Sequence, residues 1–157
     1  YLPKEDNLVR FLLMDETIEK YVEFHLIDEN TKLIIGNFHI TFSKNPHPVY
    51  TLSVKVENQD KSLVYSSDTG YKGNSLENFA KNADMFICEA SYLDSYKRKS
   101  DTHLYAREAA KIAATAKVKR LYLFHTYPNI NIKDYVEEAR REFSNVSSLE
   151  EGMIILL

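Results

Sequence analysis

Two short apolar runs separated by an alanine-rich segment constrain this chain more than anything else in it. Asp84 to Glu89 (D-M-F-I-C-E) is nearly all apolar, and so is Leu121 to Phe124 (L-Y-L-F). Strands covered on both faces read as continuous apolar runs, not as alternations. Between them, Thr102 to Lys117 places Tyr105, Ala109, Ile112 and Ala116 on one helical stripe, with Arg107, Glu108 and Lys111 on the wet side. Its alanines allow a close approach to a sheet. Strand 84–89, helix 102–117 and strand 119–124 therefore read as a βαβ crossover with parallel strands, expected to be right-handed.

Upstream the pattern is a meander. Asp6 is placed to cap a short helix carrying Leu8, Val9, Phe11, Leu12 and Leu13. Tyr21 to Ile27 alternates as a strand, with Val22, Phe24 and Leu26 on one face and His25 turned to solvent. Thr31 to Ile35 and Asn37 to Phe42 give one or two further strands interrupted by Gly36, with Phe38, Ile40 and Phe42 inward and His39 outward. Pro46 to Asp68 reads as a β-hairpin. Leu52, Val54 and Val56 alternate with Thr51, Ser53 and Lys55, Asn58-Gln59-Asp60 turns the chain, and Leu63-Val64-Tyr65 returns. That fold-back makes His47 and Asp68 neighbours in space. Further on, Ser75 to Lys81 and Lys133 to Phe143 read as helices, and Met153 to Leu157 as a closing strand.

The chain has 157 residues, enough for a single domain with one real core. Its net charge of −3 shows no basic footprint for nucleic acid, although a small basic patch fits inside a near-neutral total. Cys88 is the only cysteine, which excludes an intramolecular disulfide and favours a reducing compartment. Lying within Met85-Phe86-Ile87-Cys88, it reads as an inert core thiol. With no long apolar run and no signal-like segment in the chain, the expected location is cytoplasmic.

Three strands end in groups that apolar strands do not need: Asp68, Glu89 and His125. Ligands in α/β sheets gather outside the strand ends, so these residues, with His47 beside Asp68, form a candidate metal or catalytic cluster. Ser100-Asp101-Thr102 offers N-cap side chains and puts His103 in the first turn of the long helix. The positive end of a helix there favours an anion and disfavours imidazolium, leaving a neutral histidine for proton transfer.

Five segments occur in order: His47-Pro48-Val49, S-S-D-T-G at Ser66 to Gly70, A-D-M-F-I-C-E-A at Ala83 to Ala90, T-H-L-Y-A-R-E-A-A at Thr102 to Ala110, and L-Y-L-F-H at Leu121 to His125. Over about residues 33 to 157 this set resembles the C-terminal half of a metallo-β-lactamase-fold hydrolase, in the ribonuclease Z-like and phosphodiesterase-like branch. The resemblance implies half of an αββα sandwich, with a mixed sheet and flanking helices. It also implies that His47 ligates one metal, that Asp68 bridges two and that His125 ligates the second. Glu89 would then be the acid behind the ligands and His103 the substrate-facing histidine. The metals would be two zinc ions, with manganese or iron as alternatives, and the reaction hydrolysis by a metal-bound hydroxide.

The family's main motif, His-x-His-x-Asp-His, occurs nowhere in the 157 residues. Together with Tyr1-Leu2-Pro3, which reads as the tail of a strand, this gives the expectation of a C-terminal part of a larger domain. Such a part is expected to be inactive alone, and to bind the missing N-terminal half or itself. A tight hairpin also fills the stretch where transfer-RNA-processing relatives carry a flexible arm. Two other readings compete. Asp68-Thr69-Gly70 spells an aspartic-protease signature, but that fold is almost wholly β and has no place for the alanine-rich helix. The second is a metal-free interaction module that has kept the fold and lost the chemistry.

Overall fold

The computed structural model describes residues 2–3, 21, 23–96 and 101–157. Strands β1 (Leu2–Pro3) and β2 (Leu26–Ile27) pair in parallel. A separate sheet takes β3 (Lys32–Ile35), β4 (Phe38–Lys44), β5 (Leu52–Glu57) and β6 (Ser62–Tyr65) as an antiparallel meander. The chain then runs through α1 (Ser75–Phe79), β7 (Met85–Glu89), α2 (Ala106–Ala116), β8 (Leu121–Phe124), α3 (Ile132–Arg140) and β9 (Val146–Ser148). Strands β7, β8 and β9 extend the sheet in parallel from β6, giving seven strands in chain order. The parallel β7–β8 pair with α2 between them is the crossover read from the sequence.

Local chemistry sets the turns. Gly36 at φ +59° opens the two-residue connection between Ile35 and its partner Phe38, the left-handed start that a tight hairpin needs. In the next hairpin, Asn58 Oδ1 accepts from the backbone N–H groups of Asp60 and Lys61, at 3.0 and 2.8 Å. Glu57 thereby pairs with Ser62.

The pleat divides the residues between two faces. One carries Val64, Phe86, Cys88, Leu121 and Leu123, all fully buried beneath the helices. Ala106, Ala109, Ala110, Ala113 and Ala116 of α2 are buried to 1% exposure or less, so the helix backbone lies close to the strands. The other face carries Phe38, Ile40, Phe42, Leu52, Val54, Val56, Leu63, Tyr65, Ile87 and Phe124, in register across five strands. Only Phe42 and Leu52 of these are buried.

Several expectations change. The helix foreseen from Asp6 over Leu8 to Leu13 lies outside the described residues, as do Tyr1, Val22 and Ser100. The strand read from Tyr21 shrinks to Leu26–Ile27, and there Ile27 is buried while Leu26 is more than half exposed. His25 and His39 are exposed as expected. Phe38, expected inward, is 47% exposed because nothing among the described residues covers that end of the sheet. Met153 to Leu157 is not a strand. The closing strand is Val146–Ser148, whose Val146 packs into the helix-side core, whereas Ile154 and Leu156 lie exposed. The long helix begins at Ala106, not Thr102, because Tyr105 is its N-cap and donates its N–H to Glu108 Oε2 at 3.0 Å. Cys88 is wholly buried, and desolvation pushes its thiol well above the usual range, as an inert core residue should be.

Candidate metal centre

The C-terminal ends of β6, β7 and β8 open onto one cluster, fed by four connections. His47 follows β4, Asp68 follows β6, His103 precedes α2, and His125 follows β8. Ligand atoms of His47, Asp68 and His103 all lie within 4.8 Å of one another, and so do those of Glu89, His103 and His125. His125 Nδ1 is 3.5 Å from Asp68 Oδ1. The His103 ring stands between the other two imidazoles, with centroids 5.3 Å from His47 and 5.2 Å from His125. His103 is thus inside the cluster.

Glu89 organises this arrangement from beneath. Its side chain is fully buried and accepts four hydrogen bonds. Oε1 takes the Thr69 N–H at 2.7 Å and His103 Nδ1 at 2.9 Å, and Oε2 takes the Ser91 hydroxyl at 2.9 Å and the Leu104 N–H at 3.2 Å. A buried carboxylate with every direction satisfied is an anchor, not a spare ligand. The bond to His103 fixes the proton on Nδ1 and makes Nε2 the basic nitrogen. Carboxylate–imidazole support of this kind is the usual backing of a metal-bound or proton-shuttling histidine.

His103 is therefore not governed by a helix N-terminus, as first expected. It sits two residues before the N-cap, in a segment where Leu104 is buried and tied to Glu89 and Tyr92. Asp101 and Thr102 do not cap the helix. The close approach of this segment depends on Gly70, where a Cβ would lie 2.0 Å from the Asp101 carbonyl oxygen.

Two strand ends at the site hold strained backbone. Ser67 and His125 adopt left-handed φ values of 52° and 56°, a conformation costing about 1–2 kcal/mol for a non-glycine residue. Ser91 links His125 to Glu89: its hydroxyl, which donates to Glu89 Oε2, lies 3.1 Å from His125 Nδ1. Sequence reading missed Ser91, which lies only two residues past Glu89 at the mouth of a loop. His47 Nδ1 is engaged by the Val49 backbone, 3.2 Å from its carbonyl oxygen and 3.3 Å from its N–H nitrogen, which leaves Nε2 for the cluster. Tyr65 flanks the site, and burial, then the charges of Asp68 and Glu89, raise its phenol above the ordinary range.

Residues 5–126 match the family model described as the beta-lactamase superfamily domain. The chain belongs to this family. In fold it is a metallo-β-lactamase-type α/β protein. The crystal structure of the metallo-beta-lactamase fold protein YhfI from Bacillus subtilis superposes with a TM-score of 0.78 at 27% identity, over 88% of this chain and 59% of that one. Ribonuclease Z of Chlamydia pneumoniae is 33% identical over 93% of this chain and 63% of its own length. A Mycobacterium leprae protein is 39% identical over 62% of this chain and 34% of its own. The chain thus spans between a third and two thirds of the length of these relatives.

The donor set suits the metals of that superfamily. Imidazole nitrogens and one carboxylate are the ligands of zinc and of other borderline divalent ions. His47, Asp68 and His125 offer them here, with His103 close by.

Proposed function

We propose that this chain carries one side of the active centre of a metal-dependent hydrolase acting on phosphodiesters, in the ribonuclease Z-like and phosphodiesterase-like branch of its superfamily. The observation that supports this is the convergence of His47, Asp68, His103 and His125 around a fully buried Glu89. In this reading His47, Asp68 and His125 would hold the metal ions, with zinc as the first choice and manganese or iron as alternatives. Bound there, the ions supply Lewis-acid stabilisation of charge on a phosphoryl oxygen. The chain's own part is to orient and to move a proton. Glu89 holds His103 through Nδ1, and with a second proton on Nε2 His103 would hold a phosphate oxygen or protonate the leaving oxygen. The single buried thiol fits a reducing compartment such as the cytoplasm. No helix among the described residues is long and apolar enough to cross a membrane.

The residues present make only part of two metal shells, since His-x-His-x-Asp-His is absent from the sequence. Activity therefore belongs to a longer polypeptide, and these 157 residues alone are inactive. The absence of that motif also favours the second reading, an interaction module without chemistry. Hydrolysis of bis(p-nitrophenyl) phosphate by the 157-residue chain and by the full-length protein, with and without zinc or manganese, separates the two. Metal-dependent turnover is expected in the full-length protein only, falling roughly 10²–10⁴-fold in a His103→Ala variant. Turnover by the 157 residues above a His47→Ala plus Asp68→Ala control would overturn the division of labour. No turnover in either form would favour the interaction module.

A further inference from the structure

Beneath the His47–Asp68 pair lies a buried polar cluster that the proposed chemistry does not use. Asn45 and Ser53 are 7% and 0% exposed, in a region where apolar side chains would pack at less cost. Asn45 spends both amide protons on backbone carbonyls of the loop that delivers Asp68. Nδ2 donates to Ser66 O at 2.6 Å and to Asp68 O at 3.1 Å. Its Oδ1 accepts from Ser53 Oγ at 2.7 Å, and its main-chain carbonyl accepts the His47 N–H at 3.0 Å. One residue thus holds the backbone of both candidate ligands. Thr51 Oγ1 adds a second bond to Asp68 O at 3.0 Å, and Ser53 Oγ lies 2.8 Å from Ser66 O.

The neighbouring backbone shows why such a clamp is needed. Ser67, between the two clamped carbonyls, is left-handed at φ 52°. A strained non-glycine residue keeps that conformation only where its surroundings over-determine it. The loop is also tied to the His47 segment by Gly70 N–H, which donates to Pro46 O at 3.0 Å.

We infer that Asn45 is a positioning residue that sets the separation and orientation of His47 and Asp68 as a ligand pair. The inference rests on the metal-centre reading for its purpose, but its geometry stands apart from that reading. Changes to outer partners of metal ligands typically weaken metal binding about 10–100-fold.

Three variants of the full-length protein test it. Asn45→Ala removes the side-chain bonds of the clamp and keeps the main-chain carbonyl that accepts the His47 N–H. Asn45→Asp keeps the size and the acceptor for Ser53 but loses the two donated protons. Ser53→Ala removes a buried hydroxyl of the same cluster while sparing both Asn45-to-carbonyl bonds. Zinc affinity by chelator competition, thermal midpoint, and the His47 and Asp68 amide signals in metal-free protein are read for each. Both Asn45 variants are expected to weaken zinc binding about 10–100-fold and to shift or broaden the two amide signals. Ser53→Ala should lower the midpoint and leave both other readouts in place. Zinc affinity within twofold of wild type with unmoved amides in Asn45→Asp would overturn the inference, as would equal loss of affinity in Ser53→Ala. If the wild-type protein takes up no zinc, the metal-centre reading fails by itself, and the amide signals alone decide the role of Asn45.

Discussion

Phe86 and Ile87 are consecutive residues of the same central strand, and they live in different environments. Phe86 points under α2 and is fully buried, whereas Ile87 points to the opposite face and is only partly covered. The contrast extends across the molecule. The helix side is finished at β6 to β9, with alanines bringing α2 down onto leucine, valine and phenylalanine. At β3 to β5 that same side is polar, with His39, Thr41, Ser53, Lys55 and Glu57 in register. The other side is apolar from Phe38 across to Phe124, and its cover is partial: Ile27 and Tyr50 pack with Phe42 and Leu52, while Phe38 and Tyr65 stay exposed. A sheet with one closed and one open apolar face is what half of a two-sheet sandwich looks like.

The largest effect should follow from substitutions on the closed face. Phe86→Ala removes a fully enclosed ring and is expected to cost about 3–5 kcal/mol, with Ile87→Ala costing clearly less. Urea denaturation of both variants measures the difference, and equal losses would mean that the two faces are equally packed. Glu89→Gln comes next. Glu89 shares the pleat of Ile87, yet the loops bearing Thr69 and His103 seal it completely. An amide there turns N–H groups toward donors, and each acceptor lost costs about 1–3 kcal/mol.

The open face should show itself in association rather than in stability. Ile35 and Phe38, both 47% exposed and directly paired, and Tyr65 form its accessible part. We expect the isolated chain to self-associate through this face, or to bind polypeptide that supplies the second layer. Light scattering at micromolar concentration should find oligomers that Phe38→Glu reduces. A stable monomer with no partner would contradict the open-face account. The smallest effect concerns Asp84, which joins β6, β7 and β8 at their other end. Its carboxylate accepts from Lys119 Nζ at 2.7 Å and from the Ser62 N–H at 2.9 Å. These bonds, Lys119 first, hold its pKa below the ordinary carboxylate value. A depressed folded pKa gives stability that is present above the unfolded pKa and is lost as pH falls through the folded one. Asp84→Asn should therefore be slightly less stable at neutral pH and flatter in its acid dependence.

Much of this was legible in the sequence because period and punctuation are local. The hairpin between Pro46 and Asp68, the parallel β7–β8 pair with its alanine-rich crossover, and the meeting of His47 with Asp68 all follow from alternation, apolar runs and turn residues. The misreadings have tertiary causes. Asp101 and Thr102 look like helix caps, but Leu104 is drawn into the core and Glu89 captures its backbone N–H, so the helix starts later. Met153 to Leu157 is the more apolar run, yet Val146 takes the edge position because it meets the helix-side core. Asn45, Ser53 and Ser91 gave no signal, since a buried amide or hydroxyl beneath a loop looks like any polar residue in a turn.

In the proposed centre His47, Asp68 and His125, with His103 between them, make a metal-binding cluster. Equilibrium dialysis of the full-length protein against zinc, beside a His47→Ala plus Asp68→Ala variant, tests it most directly. The account predicts about two bound ions per wild-type chain and a clear loss in the double variant, with the thermal midpoint of the metal-free protein little changed. Undiminished zinc uptake in the variant, or none in the wild type, would contradict it.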